Sequence, residues 1–218
     1  MKNTFDKGIA FICEGDTEKE FYLSLLCFLC EKHGAQMERR KDEDEPDVVY
    51  EIRQGERIFY VKFYVANAVS GLPKSGKWFE AECLRKYAGK HEWTVFLCYD
   101  MDDYKGDITP FYEGDWKELR KKLGKAKQVI DLAAAADMED LLLTDIEGIC
   151  TYLECPPVEP AALHGRKGSA KMKVLFRISG KSYHKGTRAR AMIDHLDKQK
   201  IMDSGILPLD SLESLFVR

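Results

Sequence analysis

Five carboxylates carry the chemistry that this sequence offers. Glu14 closes the apolar run Ile9–Cys13, Asp100 closes "WTVFLCYD", and Asp102 follows two residues later in "DMDDYKGD". An acid at the end of a buried strand is costly unless something cationic meets it. In open α/β sheets, ligands gather outside the carboxyl ends of the strands. Glu14, Asp100 and Asp102 are therefore expected at one sheet edge, repelling one another unless a divalent cation neutralises them. Mg2+, or Mn2+ in its place, suits that donor set, since magnesium takes hard oxygen ligands and often binds through one or two carboxylates plus water. Glu18 faces the same edge if a helix starts at Thr17, and Glu139 in "DMEDLLLTD" offers a further ligand, ahead of Asp137 and Asp145. The structural alternative is that Glu14 and Glu18 favour a helix N-terminus while Asp100 to Asp103 decorate a loop.

Alternating elements position these acids. Ile9–Cys13 reads as a short buried strand, followed by a helix capped at Asp16 or Thr17, with "TEKE" as a capping box in which Glu20 reaches back. The mixed charge run "ERRKDEDEPD" reads as a solvated loop. "VVYEIR" and "RIFYVKFYV" flank "QGE" and predict an antiparallel hairpin. "KWFEAECLRKYAG" reads as an amphipathic helix, and "WTVFLCYD" as a strand covered on both faces. "DWKELRKKLG" gives a helix with Asp115 as cap, "KQVIDLAA" a strand, and "DMEDLLLTDIEGICTYLE" one helix. The pattern predicts an α/β sandwich around a largely parallel sheet over residues 1–155. Residues 156–218 form a basic, helical C-terminal extension packed on it.

Composition narrows the classes. With 218 residues, 44% apolar and 33% charged, the chain suffices for one compact domain with an extension. A net charge of −3 argues against an all-over basic nucleic-acid coat. No apolar segment approaches a membrane span, and seven cysteines without a signal peptide point to a reduced, cytoplasmic protein. Cys27 and Cys30 form a CxxC pair inside an apolar helix, and read as core thiols. "GLPKSGK" satisfies most of a P-loop, but Trp78 stands where the magnesium-binding Ser or Thr belongs, so it reads as a turn before a helix.

From Pro160 to Ile193 there is no acidic residue, yet the stretch carries Arg166, Lys167, Lys173, Arg177, Lys185 and Arg188 among its cations. Such segregation in an acidic chain points to a surface that meets phosphates, nucleic acid first among them.

"CEGDTE" followed by "YDMDD" resembles the Toprim domain, over roughly Lys7 to Leu153. The EGxTE form of the first motif is closer to the OLD-type and RloB-like branches than to topoisomerases. The late glycine, Gly106, and the hairpin inserted before the second motif depart from the family's pattern, and they tell against a topoisomerase or primase more than against a nuclease. The resemblance implies a Toprim-like (Rossmann-like) fold and metal-dependent cleavage of nucleic acid, with a role in anti-phage defence beside a partner such as an ATPase. It implies Asp100 and Asp102 as magnesium ligands, Glu14 as a shared ligand or proton-moving catalytic group, and Glu18 and Glu139 as ligands of a second ion. Lys181, or Lys185, would match the lysine that OLD-type nucleases carry near their acids. A ribonuclease for structured RNA and a non-catalytic nucleic-acid-binding module are the alternatives.

Overall fold

The computed structural model of the chain describes residues 5–40, 48–101, 113–134, 137–163 and 167–217. Its centre is a six-stranded sheet of β1 (Lys7–Cys13), β2 (Gln36–Arg40), β3 (Val49–Gln54), β4 (Arg57–Val65), β5 (Glu92–Asp100) and β6 (Gln128–Ala134). The order is β2-β3-β4-β1-β5-β6. β4, β1, β5 and β6 pair in parallel, whereas β2–β3 and β3–β4 pair antiparallel. The sheet is thus mixed rather than largely parallel, its hairpin extending one edge. Part of the expected solvated loop is the edge strand β2, where Glu38 to Arg40 pair with Glu51 to Val49.

The central strands are apolar throughout because both faces are covered. Ile9, Phe11 and Cys13 of β1 point into one core with α1 (Asp16–Lys32) and the C-terminal helices. Ala10 and Ile12 point into the other. That second core takes Leu72, Phe79, Cys83, Leu119 and Leu123 from α2 (Ser75–Trp78), its flanking turns and α3 (Glu113–Leu123). Gly8 lies where β1 passes under Trp93; a Cβ there would sit 2.2 Å from the indole.

Several helices depart from the sequence reading. α1 has Gly15 at its N-cap with no side-chain cap, so the capping box does not form. Thr17 instead accepts a hydrogen bond from the Gly186 N–H, and Glu20 pairs with Arg190. The expected amphipathic helix at 77–89 is a π-helix over Phe79–Arg85. Asp115 falls inside α3 rather than at its cap. The expected helix from Asp137 is broken into α4 (Met138–Leu142), a 3-10 turn and α5 (Ile146–Leu153), because Asp137 and Asp145 each cap a new start. α6 (Gly168–Ile178), α7 (Arg190–His195), α8 (Lys198–Asp203) and α9 (Asp210–Glu213) complete the chain. All seven cysteines are free thiols. Among the described residues no helix is long and apolar enough to cross a membrane.

Candidate functional site

Parallel pairing brings the two acidic strand ends together. Cys13 is in register with Cys98, and the Glu14 N–H continues the ladder to the Cys98 carbonyl at 2.9 Å. Across that junction the Asp100 N–H donates to Glu14 Oε2 at 3.1 Å. Glu14, Glu18 and Asp100 line one cleft of about 410 Å³, with Asp16, Thr17 and Asn67 on its rim and Lys185 and Gly186 arriving from the C-terminal region. Glu139 is fully buried behind it and accepts from the Tyr183 hydroxyl at 3.0 Å and from the Lys185 ammonium at 2.9 Å. Asp102 lies outside the described residues.

The electrostatics are those of acids short of cations. Burial, then the charges of Glu18, Glu14 and Glu139, push the Asp100 carboxyl up to about 9. Its Oδ1 is buried without a hydrogen-bond partner among the described residues. Burial chiefly, with Glu14 and Glu139 adding to it, pushes Glu18 up to about 7. Burial opposes the charged form of Lys185, but its hydrogen bond and ion pair with Glu139 outweigh that and raise its pKa. Among the described residues, the Lys185 ammonium is the cation that lines this cleft.

The other expected site residues are more scattered. Lys181 does not reach the acids: its ammonium donates to the Leu153 carbonyl at 3.3 Å and lies over the Tyr152 ring. Lys185 is the lysine that stands beside them. Lys167, Lys173, Arg177 and Arg188 are solvent-exposed, and Arg166 lies outside the described residues. The nominal basic stretch is partly spent internally, since Lys171 pairs with Asp140, and Arg190 with Glu20 and Asp194. Asp137 and Asp145 serve the backbone: Asp137 accepts from the Asp140 and Ser169 N–H groups, and Asp145 from those of Gly148 and Asp197.

Two participants escaped the sequence reading. Tyr183 holds Glu139 in place, and Thr17 ties the start of α1 to Gly186 beside Lys185. "GKSYHKG" was the available signal, as an aromatic and a lysine between glycines. Thr17→Val keeps the shape but strands the Gly186 N–H; we expect a loss of about 1–2 kcal/mol in urea unfolding. No loss would mean that the 186 segment is held by other contacts.

No family model matches the chain, and no curated protein does. Overlays onto solved structures include a futalosine hydrolase mutant of Helicobacter pylori, at 9% identity and TM-score 0.26, over 93% of this chain and 100% of that one. They also include the 5'-methylthioadenosine/S-adenosyl homocysteine nucleosidase of Campylobacter jejuni, at 12% identity and TM-score 0.29, over 95% and 99%. Overlays this loose fix neither the fold family nor the activity of this chain. The Toprim, OLD-type and RloB-like expectation is corrected: no family model supports it, and the overlaid proteins just named are by title a futalosine hydrolase and a nucleosidase. The expectations that rested on it, a nuclease, its ribonuclease and binding-module alternatives and a role in anti-phage defence, fall with it. What stands is an α/β protein with a mixed six-stranded sheet flanked by helices.

Proposed function

We propose that the chain is a hydrolase acting on a small substrate, and that its acidic cleft binds a divalent cation, Mg2+ or Mn2+. The observation that carries this reading is the convergence of Glu14, Glu18 and Asp100 on one cleft, with the Asp100 Oδ1 buried and without a hydrogen-bond partner among the described residues. The donor set is all carboxylate oxygen, which suits a hard cation. Among the described residues no three His, Cys, Asp or Glu side chains are set to hold an ion by themselves. Glu14 and Asp100 are the two ligands the proposal needs, because magnesium keeps several waters. Bound there, the cation would lower the pKa of a water and polarise the bond to be cleaved.

The chain's own groups do the rest. Glu18, pushed up to about 7, is poised to take or give a proton near neutral pH. Lys185, fixed by Glu139, turns its positive charge to the cleft and suits an anionic or electron-rich part of the substrate. A second reading dispenses with the metal: Asp100, which holds its proton at neutral pH, donates it to a leaving group.

A panel of p-nitrophenyl phosphate, acetate and glycosides, assayed with Mn2+ and with EDTA, tests the proposal. Turnover lost in EDTA and in Asp100→Asn supports the cation-dependent hydrolase. Turnover that persists in EDTA but is lost in Asp100→Asn favours the metal-free reading. Hydrolysis unaffected by Asp100→Asn would refute both.

A further inference from the structure

A second cleft opens at the far side of the sheet. It has a volume of about 470 Å³ and is lined by Leu84, Arg85, Ala88, Gly89, His91 and Lys125. His91 immediately precedes β5, and Asp100 ends it nine residues on. At ~3.3 Å per strand residue, about 30 Å separates the two clefts. Their chemistry is opposite: the first is walled by carboxylates, whereas the second has Arg, His and Lys and no acid in its wall.

Three features make this cleft a built site. The first is accessible positive charge, unpaired at Arg85 among the described residues and held only by a long ion pair at Lys125. Arg85 is exposed and has no ion pair or hydrogen bond among the described residues, and Lys125 has its carboxylate neighbour, Glu80, 4.0 Å away. The second is a fixed imidazole: Phe5 stacks on His91 with ring centroids 3.8 Å apart, and Tyr87 meets it edge-on. The third is an unusual backbone. The π-helix Phe79–Arg85 ends at the cleft, with the Lys86 N–H bonded to the Ala81 carbonyl and the Gly89 N–H to that of Leu84. Ala88 follows at φ 54, a left-handed conformation that an alanine adopts at a cost, and Gly89 at φ 63. π-turns and such strained residues gather at functional sites. Here both serve to swing the chain so that Arg85 and His91 face the same opening as Lys125.

We infer that this cleft binds a small organic phosphate, its anionic group between Arg85 and Lys125 and its apolar body over Leu84, Ala88 and the His91 ring. Arginine recognises phosphate through a planar fork, and lysine as a point charge. This inference does not depend on the hydrolase reading of the acidic cleft.

The test is a 15N NMR titration of the full chain with phenyl phosphate, and separately with inorganic phosphate, at 150 mM NaCl. We expect saturable shifts at Gly89 and His91, weaker binding of inorganic phosphate, and at least a tenfold loss of affinity in Arg85→Ala/Lys125→Ala. Arg39→Ala, an exposed arginine on β2 outside the cleft, is expected to bind as the wild type does. No binding by the wild type, undiminished binding by the double variant or an equal loss in Arg39→Ala would overturn the site. Shifts centred on Gly15 and Gly186 would also overturn it. Inorganic phosphate binding as tightly as phenyl phosphate would overturn the organic-phosphate assignment.

Discussion

Asp100→Asn is expected to stabilise the cation-free protein at pH 7.5 by about 2–4 kcal/mol, roughly 5–10 °C in Tm, while abolishing its response to Mg2+ and Mn2+. The carboxyl sits among Glu14, Glu18 and Glu139 and is pushed up to about 9, against about 3.9 in an unfolded chain. Between those values the folded protein holds a proton that the unfolded chain releases. Stability therefore falls as pH rises from about 4 to about 9, and levels off above that. An amide has no such proton to hold, so the advantage of Asn shrinks toward pH 4 and is fully developed by pH 9. A cation works against that advantage, because it stabilises only the protein that retains the ligand; the gain is about 2.7 kcal/mol at 100 times its Kd and about 4.1 kcal/mol at 1,000 times, where the ranking reverses. Thermal melts of both proteins at pH 5, 7.5 and 9, in EDTA and in Mn2+, separate the two effects. A wild type that melts higher than Asp100→Asn in EDTA at pH 7.5 would contradict the electrostatic description of the cleft.

Glu139→Ala is expected to cost about 2–4 kcal/mol, and Glu139→Gln less than about 1.5 kcal/mol. Glu139 is fully buried; its Oε1 accepts from the Tyr183 hydroxyl, and the Lys185 ammonium lies against both of its oxygens. Alanine leaves Tyr183, itself buried, without its acceptor and opens a void beneath the cleft. Lys185 is more than half exposed and can turn to water, so its loss contributes little. Removing the charge also relieves Asp100 and Glu18, which Glu139 pushes upward, and this offsets part of the cost. Glutamine keeps an acceptor for Tyr183 and gains the electrostatic relief. Urea unfolding of the three proteins at pH 7.5 checks the order wild type ≈ Gln > Ala. Equal stability of Ala and Gln would show that Tyr183 does not depend on this acceptor.

The sheet core was legible because parallel strands covered on both faces read as unbroken apolar runs. Ile9–Cys13 and "WTVFLCYD" fall within β1 and β5, and their carboxyl-end acids share one edge because parallel strands end together. The hairpin was equally plain from "QGE" between alternating strands. Less legible was β2, a charged edge strand with no apolar alternation to mark it, paired with β3 along its backbone and through the Arg40–Glu51 ion pair. The helix breaks at Asp137 and Asp145 were hidden because their side chains satisfy N–H groups from distant residues as well as local ones. For the same reason the basic stretch misled: composition shows nine unopposed cations there, but folding supplies partners such as Asp140, Glu139 and the Leu153 carbonyl from elsewhere. The resemblance misled differently, since two short acidic motifs fix a local geometry and not a family.

Isothermal titration of the wild type with Mn2+ at pH 7.5, in two buffers of different ionisation heat, tests the central claim most directly. If Glu14 and Asp100 bind a cation, the wild type gives a saturable heat accompanied by proton release, as the metal displaces the proton of the Asp100 carboxyl into the buffer, and Asp100→Asn gives none. A wild type that shows no saturable heat, or an Asp100→Asn protein that binds as tightly, would contradict it.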